Sequence, residues 1–375
     1  MSLVIKEVVS RKDLKDFVNF PCQLYKGNAY FVPPLQFDEI ATLRKDKNPA
    51  FDYCEARYWL AYRDGKIVGR VAGILNHAYI EKWKKNHLRF GWFDFVDDKE
   101  VAAALLAQIE SWAAEKNMEG VQGPMGFTDL DHEGMLVEGY DQVGTLATIY
   151  NYPYYSKYLE ELGYKKDADW VEYLIKIPPH VPENLERISS LIKKRCQLRV
   201  IKARKPKDIL PYAKEVFQMI NATYADLFGV VTLTEKQMAY YTQQYFSFIK
   251  TDFVSLVVDY EGKLAAFAIA MPSLSAALQK ANGKLFPFGL FYLLKALRSN
   301  TIIDLYLVAV RPDLQGKGVN AILMEELTRS CIKHGIGFAE TNPELEKNTK
   351  VQALWEYYET RQHKRRRCYI KPLEK

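Results

Sequence analysis

The chain has 375 residues, about twice the size of a typical single domain, so its length favours two domains over one. Hydrophobic residues make up 48% and charged residues 26% of the sequence, which excludes a largely disordered or collagen-like chain. The formal net charge of +6 comes largely from the run Arg361–Arg367. The rest of the chain is nearly neutral, which disfavours nucleic acid as a general partner.

The sequence contains no pattern typical of membrane insertion, secretion or metal binding. The longest apolar stretch, Leu285–Leu297, is interrupted by polar or helix-breaking residues and is shorter than the roughly 20 residues of a membrane span. The first residues mix acids and bases and do not resemble a signal peptide. The five cysteines are far apart, with no CxxC, and the six histidines show no metal-ligand spacing. We therefore predict a cytoplasmic protein without a metal.

A weak internal repeat relates the two halves of the chain. Val4–Lys6 recurs as Val200–Lys202, and the turn Asp64–Lys66 recurs 197 residues later as Glu261–Lys263. Each of these turns lies between apolar runs and predicts a β-hairpin. Each half is predicted to run strand, helical region, hairpin, strand, helix, strand, helix, strand. Shared spacing in both halves indicates two duplicated domains.

Several apolar stripes fall at helical spacing, and we interpret them as core rather than as ligand-binding surfaces. The stripes are Val101, Leu105, Ile109 and Trp112 in the first half, and Leu323, Leu327 and Cys331 followed by Val351, Leu354, Trp355 and Tyr358 in the second. The proline-rich segment beginning at Ile177 opposes regular structure and marks the boundary between the halves.

The segment Thr301–Ser330 combines a strand, a turn and the start of a helix. Its apolar run ends at Val310, Pro312 begins a turn, and Gln315–Gly318 opens an amphipathic helix. A helix N-terminus with exposed backbone N–H groups, close glycines and Lys317 is suited to a phosphate or pyrophosphate. On glycine spacing alone, an ordinary strand-to-helix turn is an equal alternative.

This segment resembles the signature loop of the GNAT superfamily of acyl-CoA-dependent N-acyltransferases, which reads Gln/Arg-x-x-Gly-x-Gly/Ala after a strand. Gln315 and Gly318 match, whereas Asn320 occupies the final Gly/Ala position, with Ala321 beside it. The resemblance implies that loop amides hold the CoA pyrophosphate and that main-chain groups of the preceding strand bind pantetheine and the thioester. The implied binding residues are Val308, Val310, Gln315, Gly316, Lys317, Gly318, Val319, Asn320, Ala321 and Asn348.

The same resemblance implies the fold class, α/β (α+β), with two tandem GNAT-like domains, each a mixed, mostly antiparallel sheet flanked by helices. Residues 1–177 are expected to form a degenerate domain without the phosphate loop, residues 178–197 a linker, and residues 198–375 the acyl-CoA-binding domain. In the first domain the expected loop position holds Asp97 and Asp98 before a helix. Two carboxylates there would satisfy the helix dipole and repel a pyrophosphate, so CoA is predicted to bind only the second domain.

Amide formation from a thioester requires a base for the amine and a proton for the leaving thiolate. Asp304 lies on the motif strand at a place where some GNAT members carry a catalytic carboxylate, and it is the base candidate. Many members use a tyrosine seven residues after the last motif Asn, but that count from Asn348 reaches Trp355. Tyr358 is the substitute candidate for the acid. A salt-bridged Asp and a packed aromatic side chain are the structural alternatives.

Three further segments have functional and structural interpretations that the sequence leaves open. Glu340–Pro343 is an acceptor-binding edge or a simple strand-end turn. The basic run is a solvated face, or it binds the CoA 3′-phosphate, an acidic acceptor, an anionic membrane surface or RNA. The aromatic insertion Leu285–Arg298 caps a lipid or acyl pocket, contacts a bilayer or, as slightly favoured, fills the interface between the copies.

The sequence therefore predicts transfer of an acetyl or longer acyl group from acetyl-CoA or another acyl-CoA to an amine, directly within a ternary complex. The acceptor is predicted to be a small-molecule or lipid-like amine, with peripheral membrane contact as an option. Two alternatives remain: transfer of an aminoacyl group from tRNA, and a non-catalytic acyl-CoA-binding or interaction module. The acceptor, the acyl-chain length and the oligomeric state do not follow from the sequence.

Overall fold

The structure is a computed structural model that describes residues 2–246 and 249–373, without the side chain of Phe246. In the first half of the chain the elements are β1 (Leu3–Glu7), α1 (Arg11–Leu24), α2 (Gln36–Thr42), β2 (Cys54–Arg63), β3 (Lys66–Asn76), α3 (His77–Trp83), β4 (His87–Phe95), α4 (Lys99–Glu115), β5 (Gly120–Gly123), β6 (Met135–Glu138), α5 (Tyr154–Glu161) and β7 (Lys165–Lys176).

The second half repeats this order with additional helices. Its elements are α6 (Glu183–Arg195), β8 (Arg199–Ile201), α7 (Ala213–Thr223), α8 (Glu235–Phe246), β9 (Val254–Val258), β10 (Leu264–Pro272), α9 (Ser275–Ala281), α10 (Gly289–Arg298), β11 (Ile302–Val310), α11 (Asn320–Lys333), β12 (Phe338–Thr341), β13 (Glu344–Leu345), α12 (Thr349–Gln352) and β14 (Glu359–Pro372). In the described part of the chain, no helix combines the length and the apolar character that crossing a bilayer requires.

The chain forms two compact units whose boundaries do not coincide with the midpoint of the sequence. Among the described residues, the first unit contains 2–171, 275–293 and 364–373, and the second contains 172–246, 249–274 and 294–363. The C-terminal residues thus belong to the first unit. Residues 183–195, inside the segment predicted to be a linker, form α6, which packs on α11 through bonds from Ser189 and Lys193 to Glu325.

The first unit contains the hairpin predicted at Asp64–Lys66, formed by β2 and β3. Its sheet has the order β1-β2-β3-β4-β5-β14, and the β4–β5 pair is parallel while the other pairs are antiparallel. Helix α4 covers this sheet with the predicted stripe Val101, Leu105, Ile109 and Trp112, all buried. Trp112 lies edge-on to Trp59 of β2, with ring centroids 6.1 Å apart.

The second unit has the sheet order β7-β12-β11-β10-β9-β8 and contains the second predicted hairpin, β9–β10, with its turn at Glu261–Lys263. The β11–β12 pair is parallel, and the other pairs are antiparallel. Helix α11 buries Leu323, Leu327 and Cys331 against this sheet, as the stripe predicted. The mixed, mostly antiparallel α/β architecture predicted for each half is therefore confirmed.

The last predicted helical stripe differs from the structure. Helix α12 ends at Gln352, a 3₁₀ turn covers Ala353–Tyr357, and Tyr358 has an extended backbone. Leu354 and Trp355 are buried, as predicted, but the tighter turn changes the direction of the side chains that follow. The basic run then continues as β14 instead of following a helix.

Candidate active site

The candidate site lies where two parallel strands of the second unit separate. β11 and β12 are paired only from Ile302↔Phe338 to Leu305↔Thr341, although β11 continues to Val310. Asn342 follows the last pair, donating its backbone N–H to the Leu305 carbonyl at 3.1 Å. Beyond this point β11 no longer pairs with β12 and its main-chain groups on that side are available for other partners.

One such partner comes from the protein itself. The hydroxyl of Tyr224, at the end of α7, donates a hydrogen bond of 3.0 Å to the Val308 carbonyl and lies 3.4 Å from the Val308 N–H, within reach as its acceptor. Gln315 donates from Nε2 to the Val310 carbonyl at 3.1 Å. The two main-chain positions predicted to meet pantetheine are therefore at the separated edge, and each has a local side-chain partner.

The loop before α11 has the backbone geometry suited to an anion. Gly316 and Gly318 have φ angles of +72° and +81°, in the left-handed region that favours glycine. In the described residues, no backbone acceptor is bonded to the N–H groups of Gly316, Gly318, Val319 or Asn320. These amides lie in the last residues before the helix and at its first residue, where the positive end of the dipole adds to their attraction for a phosphate. The backbone geometry of this loop is therefore suited to the phosphate binding that the family resemblance implies.

A buried group of titratable side chains surrounds Asp304. Asp304 is 1% exposed and is the register partner of Glu340 on β12. His363 Nε2 lies 3.4 Å from Oε1 of Glu340, and the ligand atoms of Glu172, Glu340 and His363 all lie within 4.8 Å of one another. Burial, together with the charges of Asp304 and Glu340, raises the pKa of Tyr306 well above its usual range.

This cluster was only partly predicted. The sequence singled out Asp304 and Glu340, but Glu172 and His363 come from strands far away in the chain and carry no local motif. Two carboxylates and an imidazole are a donor set that can also hold a metal ion. No sequence spacing could have indicated this, because the three residues are brought together only by strand pairing.

A second acidic group lies beside Trp355, the residue that occupies the family's tyrosine position. The indole Nε1 of Trp355 donates a hydrogen bond of 2.9 Å to Glu344, two residues after Asn342. Burial raises the pKa of Glu344 to about 8, although the indole bond opposes the shift. Glu344 therefore carries a proton on most molecules at neutral pH. The sequence analysis did not identify this residue.

Tyr358 and Asp304 are not brought together. Successive strand residues point to opposite faces, so Leu305 faces away from the side of Asp304. Leu305 lines a small apolar pocket with Tyr358, whose hydroxyl lies 2.7 Å from that of Thr328 on α11. Burial raises the pKa of Tyr358 to about 12. Asn348 begins α12 without a side-chain capping bond.

The first unit differs at each corresponding position. At the third β4–β5 pair, where the second unit has Asp304, stands Arg89, 1% exposed and bonded to the Gly126 carbonyl. Asp98 caps α4 through the Glu100 N–H, which confirms that a carboxylate satisfies this helix terminus. The strand end is also occupied, because the Phe95 N–H donates to the Tyr155 hydroxyl at 3.0 Å.

The basic run and the aromatic insertion also differ from expectation. Lys364 and Arg366 are 1% exposed, and Arg365 and Arg367 pair with Asp169, so this part of the run is not a solvated charged face. Three of the four rings of the insertion are exposed, whereas Tyr292 is half-buried. Their exposed fractions are 76% for Phe286, 65% for Phe288 and 65% for Phe291.

Comparison with known proteins agrees with this geometry. Residues 215–358 match the model of the acetyltransferase (GNAT) family. A tandem GNAT protein from the clavulanic acid biosynthesis pathway superposes with a TM-score of 0.57 at 12% identity, covering 99% of this chain and 98% of that one. A GCN5-related N-acetyltransferase from Sphaerobacter thermophilus gives a TM-score of 0.50 at 12% identity, covering 99% and 95% of the two chains. At such identities these structures establish the fold.

Two protein sequences are also similar over most of their length. Protein YghO of Escherichia coli K12 is 26% identical over 99% of this chain and 95% of its own. The bacterial ceramide synthase of Caulobacter vibrioides is 25% identical over 79% of this chain and 77% of its own. The fold and the family match define an N-acyltransferase. Residues 215–358 match the GNAT family, and the whole chain has the fold of tandem GNAT proteins.

Proposed function

We propose that this protein transfers a long-chain acyl group from acyl-CoA to the amine of a lipid-like amino alcohol. The observation that carries the acyl-CoA part is the separated β11 edge, followed by a loop with four N–H groups that have no backbone acceptor among the described residues. The acceptor class is supported by the similarity to a bacterial ceramide synthase, because a ceramide is an N-acylated long-chain amino alcohol.

In the proposed complex the pyrophosphate lies on the N–H groups between Gly316 and Asn320. The pantetheine arm follows the edge of β11 past Val308, where it replaces the hydrogen bonds of Tyr224. Lys317, exposed at the loop tip, adds a positive charge near the phosphates. The thioester is then close to the point where β11 and β12 separate, and the acceptor amine approaches it there in a ternary complex.

Asp304 acts as the general base in this proposal. It removes a proton from the acceptor ammonium, directly or through water, and the free amine attacks the thioester carbonyl. Glu340 is the neighbour of Asp304, and its Oε1 lies 3.4 Å from Nε2 of His363. These two side chains can carry the proton away from Asp304. Support for this role comes from the burial of Asp304 and its position in the separating strand.

Glu344 is proposed as the group that protonates the leaving thiolate. When the tetrahedral intermediate collapses, the carbon–sulfur bond breaks and the sulfur takes the carboxyl proton of Glu344, while the nitrogen loses its second proton to water, giving free CoA and the amide. Asp304 ends the cycle protonated and Glu344 ends it ionised. Proton exchange with solvent restores both groups, so each turnover releases one proton. Tyr358, the candidate from the sequence, faces an apolar pocket and its hydroxyl is bonded to Thr328.

The long chains of both substrates require access from a lipid surface or micelle. The exposed rings of Phe286, Phe288 and Phe291 precede or begin α10, and Lys295 and Arg298 follow in its last turn. An apolar segment flanked by cations is typical of contact with an anionic interface. We propose this peripheral contact for the same segment.

The test is a turnover assay on the full chain with sphinganine as acceptor and either palmitoyl-CoA or acetyl-CoA as donor. Release of CoA thiol, with the N-acyl product identified by mass spectrometry, is expected with palmitoyl-CoA. Asp304→Asn should reduce kcat at least 100-fold while leaving acyl-CoA binding intact. Lys333→Gln, an exposed change on α11, is the matched control and should keep full activity. Turnover with acetyl-CoA but not with palmitoyl-CoA would contradict the long-chain donor.

The two alternatives make different predictions in the same assay. A non-catalytic acyl-CoA module would bind the donor with no thiol release from any amine. An aminoacyl transferase would need tRNA, and its binding would weaken steeply with salt. The pairing of Arg365 and Arg367 with Asp169 weakens one of the two sequence arguments for that alternative, the basic run, and leaves the tandem layout as the other.

A further inference from the structure

The first unit contains a pocket of its own that the proposed reaction does not use. It lies beside the part of β4 that continues after the last β4–β5 pair, Arg89↔Gln122, and its lining includes Trp92, Phe93 and Asp94 of that strand. The pocket is open to solvent at its mouth, so a small ligand can enter it from outside.

Most charges of this pocket are neutralised by the protein. Asp94 pairs with Arg70 at 2.7 Å, and both side chains are 7% exposed. Asp94 also accepts the Tyr25 hydroxyl at 3.0 Å. His132 lies with Nε2 2.9 Å from the Leu146 carbonyl, which makes this nitrogen the donor.

Glu39 is the exception among the lining residues. It is 8% exposed, and one of its oxygens accepts the Trp92 indole N–H at 2.6 Å. Among the described residues, no Lys, Arg or His nitrogen lies within ion-pair distance of this carboxylate. A buried carboxylate with a single neutral donor is costly, and a cation from outside the protein would offset that cost.

The walls around Glu39 are suited to the alkyl groups of such a cation. Phe31, Trp92, Phe93, Tyr150 and Tyr155 all contribute to the lining. Aromatic faces attract ammonium ions and their attached methyl or methylene groups. An anion, by contrast, would meet the uncompensated carboxylate of Glu39.

We propose that this pocket binds an organic ammonium ion, with the Glu39 carboxylate against the cation and the rings of Trp92 and Tyr150 against its alkyl groups. The inference does not rest on the proposed acyl transfer. It assigns a ligand-binding role to the unit that has no phosphate loop.

The test compares choline with its neutral isostere, 3,3-dimethylbutan-1-ol, by isothermal titration calorimetry on the full chain without acyl-CoA. Saturable binding of choline is expected, with at least tenfold weaker binding of the alcohol. Equal affinities for the two probes, or no binding of choline, would overturn the proposal without any variant. Because acyl-CoA is absent, failure here is independent of the catalytic assay.

A variant pair then locates the site. Glu39→Gln keeps an acceptor for the Trp92 indole but removes the charge, so it should weaken choline binding at least tenfold without lowering the melting temperature. Glu115→Gln, an exposed glutamate of the same unit, is the control and should bind like the parent chain. Unchanged affinity in Glu39→Gln would place the choline elsewhere and refute the assignment.

Discussion

The indole Nε1 of Trp355 lies 2.9 Å from a carboxylate oxygen of Glu344, so the position where many relatives present a tyrosine hydroxyl presents a hydrogen-bonded acid. Burial raises the pKa of this acid to about 8, close to the pKa of a thiol. A proton donor is most effective when its pKa matches that of the group it protonates near the working pH. The pair thus compensates for the missing phenol in the proposed mechanism.

Replacing Glu344 by Gln should lower kcat about 10- to 100-fold with little change in acyl-CoA affinity, because only the proton donor is removed. In the parent chain the acid form is lost as pH rises through about 8, so kcat should fall above that pH. Steady-state rates across pH 6 to 10 check both expectations. Trp355→Phe, which removes the indole N–H, should move this fall in kcat to higher pH, because the bond that favours the ionised form of Glu344 is lost. If Glu344→Gln showed the same fall in kcat above pH 8 as the parent chain, Glu344 would not be this acid.

A substitution at Gly316 tests whether the loop before α11 binds the pyrophosphate of CoA. Its φ of +72° is strained for alanine, although no atom lies within 4 Å of an added Cβ. Gly316→Ala should therefore destabilise the fold by about 1 kcal/mol and also weaken CoA binding at least tenfold, because the amide directions change.

Gly335 provides a matched control for that variant. It has a φ of +68° and equally open surroundings, but it follows α11 at the other end of the helix. Gly335→Ala should cost similar stability in thermal unfolding and leave CoA binding, measured by calorimetry, unchanged. Equal loss of binding in both variants would show that strain alone weakens binding.

Tyr224 tests the proposed route of the pantetheine arm. Its hydroxyl bonds to Val308 main-chain groups that the arm would need. Tyr224→Phe should therefore lower the KM for acyl-CoA several-fold, since the ligand no longer displaces this bond, and should lower the melting temperature slightly. Thr223→Val, whose hydroxyl bonds only within α7, serves as the comparison. A raised KM in Tyr224→Phe would mean that the hydroxyl contacts the ligand itself.

Glu325 is predicted to control stability in acid. Burial alone would raise its pKa, but hydrogen bonds from Lys193, Ser189 and Arg329 outweigh burial and lower it to about 2. A carboxyl with a depressed folded-state pKa stabilises the fold above its unfolded value of 4.5, and this contribution is lost as pH falls from 4.5 to about 2.

Its contribution at neutral pH is at most about 3 kcal/mol. Glu325→Gln should unfold more readily in urea at pH 7 and show a flatter dependence of unfolding free energy on pH between 5 and 2. Glu326→Gln, at the next position of α11, changes a charge that pairs with the exposed Lys202 and lies 3.6 Å from Lys193, and it should retain most of the acid dependence. Equal slopes in both variants would exclude Glu325 as the main group.

Features carried by neighbouring residues were predictable from the sequence. The turns at Asp64–Lys66 and Glu261–Lys263 form hairpins because glycine at a positive φ and flanking apolar runs specify them locally. The apolar stripes of α4 and α11 face their sheets because helical spacing puts these residues on one side of the helix. The positive φ angles of the loop before Asn320 likewise follow from its own glycines. The capping of α4 by Asp98 is also local, because it involves only Asp98 and the N–H of Glu100.

Features that depend on pairing between distant residues were decided by the tertiary structure. His363 and Glu340 approach each other only because strands pair, and Tyr224 reaches Val308 from a helix 84 residues earlier. The late turn tightens after Gln352 and directs Trp355 to Glu344, which periodicity alone does not reveal. Spacing along the chain determines which groups share a face of one element. Which groups meet across elements is set by strand register and packing, and those depend on the whole chain.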